Sequence, residues 1–344
     1  MGKDVFANGK NIPGVKKILI MRWGSMGDVA ICSAVINDIC KHFSDVEIHL
    51  NVEPPWDKLF QGDTRFAKIH NMKVRKAPRL SSTRAWLSML RRENFDLIID
   101  LQRNDRSMIL LNLARLLGIA PKNRMGTKSG FAYNLEAPAY GEKAHALMIM
   151  RAAAKGLGVD CQTEQPVLKI SEDYQRSAET LLHEYDLQSK RFAILVPGSS
   201  LSGAKKRWGV KNYAAMAELF FEKGIESCAI LGGPDEIDLC SQLADSIGEK
   251  AVNLCGKTQL LEIPVIAERA QYMVSNDTGT AHLAAAADIA MVVICGPTDA
   301  SRVHPIGKRV ATLQAPMECF TQHPAEQCMA KVSPSQVWQA LENL

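Results

Sequence analysis

Short apolar runs alternate with helical periodicities from Lys17 to the end of the chain. Lys17–Arg22 (KILIMR) is apolar between charged ends and predicts a buried strand. The spacing then predicts a helix over Val29–Phe43, a strand at Val46–Val52, a helix over Arg84–Arg92, a strand at Asp96–Leu101 and a helix over Asp105–Leu117. The second half repeats the rhythm. Strands are predicted at Phe192–Val196, Ser227–Leu231, Val252–Cys255, Tyr272–Ser275 and Met291–Cys295, and helices at Lys211–Lys223, Asp235–Ile247, Leu260–Arg269 and Thr280–Ala287. Strands that are apolar throughout and separated by helices belong to parallel sheets covered on both faces. Two such series predict an α/β protein of two doubly wound, Rossmann-like domains. The polar stretch Gln165–Asp186, with a helix at Asp173–Tyr185, marks the join and places the domains at residues 1–172 and 173–332. Ser333-Pro334 opens a last helix within 333–344, for which packing back on the first domain is one arrangement.

Composition agrees with two soluble domains. The 344 residues are 47% apolar and 23% charged, which excludes a disordered chain, a collagen or a coiled coil. No apolar run approaches the roughly 18 residues needed to span a bilayer. The polar Met1–Lys17 segment has no signal-peptide core, so a cytoplasmic protein is expected. The nine cysteines form no C-x-x-C pair. Their odd number and apolar settings predict buried thiols rather than a disulfide framework. Cys319, His323 and Cys328 offer at most three of the four ligands of a structural zinc site, so no metal is expected there. The net charge of +4 conceals an asymmetry. Residues 1–170 hold 26 Lys+Arg against 16 Asp+Glu, and residues 171–344 hold 15 against 21.

The turns after the strands carry the candidate chemistry. Trp23-Gly24-Ser25-Met26-Gly27-Asp28 follows the first strand. Its glycines allow close backbone approach, but G-x-G-x-x-G is absent, so it is not a dinucleotide fingerprint. Asp28 reads either as a helix cap or as a general base at the carboxyl edge of the sheet. Asn276-Asp277-Thr278-Gly279-Thr280-Ala281-His282 joins a strand to an Ala-rich helix, where free amides and hydroxyls would face an anion. Pro197-Gly198-Ser199-Ser200 with the following Lys205-Lys206-Arg207-Trp208, Gly232-Gly233-Pro234-Asp235-Glu236, and Gly296-Pro297-Thr298-Asp299 all end strands on the same edge. Together they predict a nucleoside-diphosphate pocket with Lys206 neutralising phosphate. His282 either contacts that phosphate or packs beneath the loop.

In this order the segments KILIMRWGSMGDV, PGSS…KKRW, LGGPDE, SNDTGTAHLAAA and GPTDASRVHP resemble glycosyltransferase family 9, the ADP-heptose:lipopolysaccharide heptosyltransferases. The tail from Cys319 to Val337 is similar to that family's C-terminal segment. The resemblance implies a GT-B fold, two Rossmann-like domains facing a central cleft, with the acceptor on the N-terminal domain and the sugar nucleotide on the C-terminal one. It implies that Asp28 is the catalytic base and Gly27 lies beside the acceptor. Lys206 would contact donor phosphate, Glu236 would lie near the ribose, and Asp277, Thr278, Gly279 and Thr280 would form the donor-phosphate turn, with Ser199 and His282 also on the donor side. The chain departs from the family in having Gly209 where proline is usual after the tryptophan, and in keeping only two tail cysteines.

The implied reaction is an inverting transfer of heptose from ADP-heptose to the inner core of lipopolysaccharide. ADP-heptose is a substrate, and no cofactor is expected. No D-x-D triplet occurs in the chain, which fits protein cations replacing a metal at the diphosphate. The alternative is another nucleotide-sugar transferase of the same fold acting on a different glycan or a protein. Residues 73–92 hold seven Lys/Arg and no acid, among them Lys73, Arg75, Lys76 and Arg79. Such a run is a solvated face, a nucleic-acid surface or a contact for an anionic glycolipid at a membrane. The resemblance favours the last, with peripheral contact at the inner membrane and no nucleic-acid partner. Arg103 and Arg106 follow the strand DLIIDL and join the acceptor side. A nicotinamide oxidoreductase lacks its fingerprint here, and a purely RNA- or membrane-binding protein leaves the four turns of the acidic half unexplained.

Overall fold

The computed structural model describes residues 3–7, 10–74, 80–199 and 201–344. Arg75, Lys76 and Arg79 of the basic stretch lie outside the described residues. The chain forms two compact units, Met1–Thr163 and Glu164–Leu344.

The first unit opens with an antiparallel hairpin, β1 (Lys3–Ala7) and β2 (Lys10–Val15), in the terminus that read only as polar. There follow β3 (Lys17–Arg22), α1 (Met26–His42), β4 (Glu47–Val52), β5 (Lys68–Asn71), α2 (Leu80–Glu93), β6 (Leu97–Asp100), α3 (Asp105–Leu116), β7 (Asn123–Gly126) and α4 (Ala146–Lys155). The five strands β3 to β7 form one parallel sheet in the order β5-β4-β3-β6-β7. Leu19, Met21 and Trp23 pack with Trp86, Met89 and Leu90 of α2 and with Leu110, Leu111 and Ala114 of α3. The indole N–H groups of Trp23 and Trp86 both donate to Asn51 Oδ1 at 3.0 Å. That satisfies the polar ends of two fully buried rings.

The second unit holds α5 (Glu172–Glu184), β8 (Phe192–Val196), α6 (Val210–Glu222), β9 (Ser227–Ile230), α7 (Ile237–Ile247), β10 (Ala251–Asn253), α8 (Glu262–Arg269), β11 (Tyr272–Asn276), α9 (Gly279–Ala284), β12 (Ala290–Cys295), β13 (Val310–Gln314), α10 (Ala325–Met329) and α11 (Pro334–Glu342). Its six-stranded sheet is also parallel throughout, in the order β10-β9-β8-β11-β12-β13. The central strands β8, β9, β11 and β12 are apolar because helices cover both faces. In each sheet the direction of strand progression reverses once, between β3 and β6 and between β8 and β11. Ligands of open α/β sheets bind at the carboxyl ends of the strands flanking that reversal. The turns after these four strands contain Asp28, Arg103 and Arg106, Ser199 and Lys206, and Asp277.

The last helix, α11, whose partner the sequence left open, packs on the second unit. Val337 and Leu341 enter the second unit's core, and the Trp338 ring lies 5.6 Å from that of Tyr272 and 6.2 Å from that of Phe220. The apolar stripe of α11 finds its partner on α6 and the sheet beneath it. Cys319 and Cys328 form a disulfide, with Cα atoms 5.7 Å apart, where free thiols were expected. A short 3-10 turn at Met317–Thr321 and the five-residue helix α10 bring the two residues together, a local geometry that an odd cysteine count does not reveal. The other seven cysteines are buried and reduced.

Candidate active site

Asp28 occupies the third position of α1 and closes a capping box with Ser25. Its Oδ2 accepts from the Ser25 amide at 3.1 Å and from the Ser25 hydroxyl at 2.8 Å. Its Oδ1 accepts from Arg22 Nη2 at 2.9 Å. The cap and the exposed carboxylate are therefore one residue: a third of the side chain, 32%, is open to solvent. Gly24 is needed for this turn, since a Cβ there would stand 2.8 Å from the Asp28 Cβ. Arg22 itself is buried, and its Nη1 donates to the Leu101 carbonyl at 2.6 Å. It ties the turn after β3 to the turn after β6.

The second turn is polar beneath and basic above. Buried Asp100 accepts from Tyr133 Oη at 2.5 Å and from the Gln102 amide at 2.9 Å. Burial pushes the Asp100 carboxyl up in pKa against these bonds. Arg103 is exposed and Arg106 half-buried. Arg106 Nε, Gln102 Nε2 and Arg22 Nε are buried with no hydrogen-bond partner among the described residues. Three such donors on one sheet edge suit an anionic or hydroxylated ligand. Gly27 is buried in the first turn of α1, and Lys73 is exposed beyond the end of β5.

In the second unit Lys206, Asp277 and His282 come together. Lys206 Nζ meets Asp277 Oδ2 at 2.6 Å, and His282 Nε2 stands 3.7 Å from Asp277 Oδ1. Burial raises the Asp277 pKa, but His282 and the Lys206 ammonium outweigh it and hold the carboxyl below the usual range. His282 is 3% exposed and its Nδ1 has no partner among the described residues; the same is true of Arg207 Nε. Thr278 caps α9, accepting from the Ala281 amide at 3.4 Å, while Gly279 and Thr280 sit half-buried in its first turn. The α9 helix is six residues long, so free amides contribute more here than a long macrodipole.

Asn276 organises these turns. Its Nδ2 donates to the carbonyls of Pro197 (2.7 Å) and Gly198 (3.0 Å), and its Oδ1 accepts from the Trp208 amide at 3.1 Å. One buried amide thus joins the end of β11 to the turn after β8 and to the residue two beyond Lys206. Ser199 is buried. Its hydroxyl donates to the Gly203 carbonyl at 2.7 Å and its carbonyl accepts from Arg207 Nη2 at 3.1 Å, so it shapes the turn. Glu236 accepts from the Gly233 amide at 2.8 Å, and burial pushes its carboxyl up. It lies so close to the Gly198 backbone that a Cβ there would fall 2.1 Å from it. A side chain at that crossing would have to displace the Glu236 carboxylate.

Arg22, Asn276 and Arg207 are the site residues that sequence reasoning did not select. Arg22 ends an apolar strand and Asn276 begins a recognised turn, so position at a strand's carboxyl end was the available signal.

The profile of glycosyltransferase family 9 (heptosyltransferase) matches residues 83–333. Lipopolysaccharide heptosyltransferase 1 of Escherichia coli strain K12 is 23% identical over 92% of this chain and 99% of its own length. Among solved structures, a family 9 glycosyl transferase from Veillonella parvula superposes with a TM-score of 0.81 at 19% identity, over 95% of this chain and 96% of that one. An E. coli heptosyltransferase solved with ADP-2-deoxy-2-fluoro heptose gives 0.70 at 21% identity, over 95% and 99%. These structural likenesses are of fold, and they agree with the GT-B class expected from the motifs. The profile spans well over half of the residues, and the chain belongs to glycosyltransferase family 9, the heptosyltransferase family.

Proposed function

We propose that this protein transfers a heptosyl group from ADP-heptose to an acidic sugar of the lipopolysaccharide inner core, with inversion and without a metal. The observation that carries the reading is the family match over residues 83–333, which takes in every donor-side residue named above. Asp28 lies outside that span, and its role rests on geometry. Its carboxylate is held at both oxygens by Arg22 and Ser25, yet it is a third exposed.

In the proposed step an acceptor hydroxyl attacks the anomeric carbon of the heptose while Asp28 takes the hydroxyl proton. The new C–O bond forms as the bond from the anomeric carbon to the β-phosphate oxygen breaks, and ADP leaves with both electrons. Charge growing on ADP is met by Lys206, by the Arg207 guanidinium and by the amides of the Thr278–Thr280 turn. Asp277 is an anion and would repel phosphate. Its bonds to Lys206 and His282 assign it to holding those two groups in place. Glu236, buried beside Gly198 and Gly233, suits a ribose hydroxyl. Arg103, Arg106 and the unsatisfied donors around them suit carboxylates or phosphates on the acceptor.

A donor screen tests the reading. Purified protein should release ADP from ADP-heptose in the presence of an acidic, truncated core acceptor, and should release neither ADP from other ADP-sugars nor UDP from UDP-sugars. Turnover with a different sugar nucleotide, and none with ADP-heptose, would overturn it.

A further inference from the structure

Lys206 ends a six-residue 3-10 turn, Leu201–Lys206. Hydrogen bonds in such turns are poorly aligned, so one of this length needs support from outside itself. The support comes from the far end of the chain. Helix α10 packs against the turn, and its last residue, Met329, is fully buried. Three groups converge on Gly296, the residue after β12. A Cβ there would stand 2.9 Å from Met329 Sδ, 3.3 Å from Lys206 Cα and 3.4 Å from the Lys205 carbonyl oxygen. A side chain at Gly296 would have to displace the thioether, so its absence lets Met329 reach the backbone that carries Lys206. Two residues further on, Trp208 Nε1 donates to the Val332 carbonyl at 2.8 Å and ties the tail to the same segment a second time. Trp208, Met329 and Val332 belong to one buried cluster.

The tail is itself fastened. Helix α10 is only five residues long, too short to hold its shape by its own hydrogen bonds. Cys328, directly before Met329, is bonded to Cys319 in the 3-10 turn Met317–Thr321, nine residues back. Both cysteines are buried. The bond restricts the conformations open to the residue next to Met329 and supplies order that so short a helix lacks. An unbranched thioether suits the irregular gap between the end of β12 and the Lys206 turn.

We infer that the disulfide-closed segment Cys319–Val332 is a positioning device for Lys206, with Met329 as its contact residue. Met329 touches no substrate. It buttresses the backbone of the 3-10 turn and so holds the Lys206 ammonium where it meets Asp277 at 2.6 Å and faces the donor diphosphate. The inference rests on the reading of Lys206 as a diphosphate contact and adds to it the group that sets its place.

Calorimetric ADP binding to the full chain, well below its melting temperature, tests this. Met329→Ala should weaken ADP binding about three- to ten-fold, part of what a charge-assisted hydrogen bond contributes. Met329→Leu, which conserves volume, should bind like wild type. Cys319→Ser/Cys328→Ser should also weaken ADP binding, by breaking the fastening and leaving Met329 in place. A double-mutant cycle decides between positioning and plain core packing. In a Lys206→Ala background, Met329→Ala should change ADP affinity by less than about two-fold, because no ammonium is left to misplace. Should Met329→Ala fail to fold, the cysteine pair carries the same cycle. A full, additive loss in the Lys206→Ala background would overturn the inference, and so would Met329→Ala or cysteine-pair protein that binds ADP as tightly as wild type. Wild-type protein that does not bind ADP would instead count against the reading of the pocket itself.

Discussion

Asp28→Asn keeps the shape of the carboxylate and removes its basicity. The kcat should fall about 10²–10⁴-fold, the usual contribution of a positioned base, with the ADP dissociation constant nearly unchanged in calorimetry. Arg22→Met leaves the base present but unheld on Oδ1. Loss of one charge-assisted hydrogen bond should lower kcat by about 10–100-fold, again with ADP affinity preserved. Lys206→Ala should do the reverse and weaken ADP binding by about 10–100-fold. The candidate site was readable where a turn combined small residues with a chemically distinctive one, as at Asp28 and Lys206. Arg22 was hidden because a basic residue that ends an apolar strand looks like a strand terminator. Only the hydrogen bond across six residues, and the reach to Leu101 across 79, expose it. Asn276 was hidden for a similar reason. Its three partners lie 68 to 79 residues away in sequence, and no local pattern encodes them.

The elements that sequence patterning located are those buried on both sides. The central strands β3, β4, β6, β8, β9, β11 and β12 were all placed within about a residue or two. The edge strands were not. β5 and β7 of the first sheet and β13 of the second went unread, and β10 was placed slightly late. An edge strand pairs on one side only and buries less, so Lys68–Asn71 and Val310–Gln314 carry mixed, half-buried residues and no apolar run. Helix α11 was located, but its partner was not, because an apolar stripe does not say which core receives it. Leu341 is 2% exposed in the second unit's core, and Leu341→Ala should cost about 2–5 kcal/mol in urea unfolding. Between β4, β5 and the end of α2, His49 Nδ1 and His70 Nε2 lie 2.9 Å apart, and Glu93 binds both Lys17 and Lys68 at 2.9 Å. Burial pushes the His70 imidazole down to about 4, so the unfolded chain binds the proton first. Stability should therefore fall as pH drops from about 6.5 to about 4, and His70→Gln should flatten that decline. Lys68 and Lys17 hold the Glu93 carboxyl down to about 2, so its contribution, present above about 4.5, is lost only between 4.5 and 2. Glu93→Gln should remove that lower limb and weaken the protein at pH 7. Denaturation midpoints measured across pH 2–7 separate the two.

At the scale of the whole molecule, charge and chemistry divide between the halves. The basic residues concentrate in the half proposed to receive an acidic acceptor. The acidic half carries a local cationic cluster, Lys205, Lys206 and Arg207, at the turns proposed to hold the diphosphate. Exposed acceptor contacts are screened by salt more than a partly buried lysine is. Transfer to an acidic acceptor should therefore decline more steeply with sodium chloride than ADP binding does, and equal slopes would contradict the division. The fold class was legible because two series of apolar strands and helices admit few arrangements. The proposed division of roles was readable because turns at strand ends keep their chemistry in short segments. The central claim is that Asp28 accepts the proton of the sugar hydroxyl as ADP departs. Single-turnover transfer from ADP-heptose, followed at saturating donor and acceptor in wild-type and Asp28→Asn protein, tests it most directly. The account predicts a chemical step slowed at least about a hundred-fold in the variant with donor binding intact; an undiminished rate would contradict it.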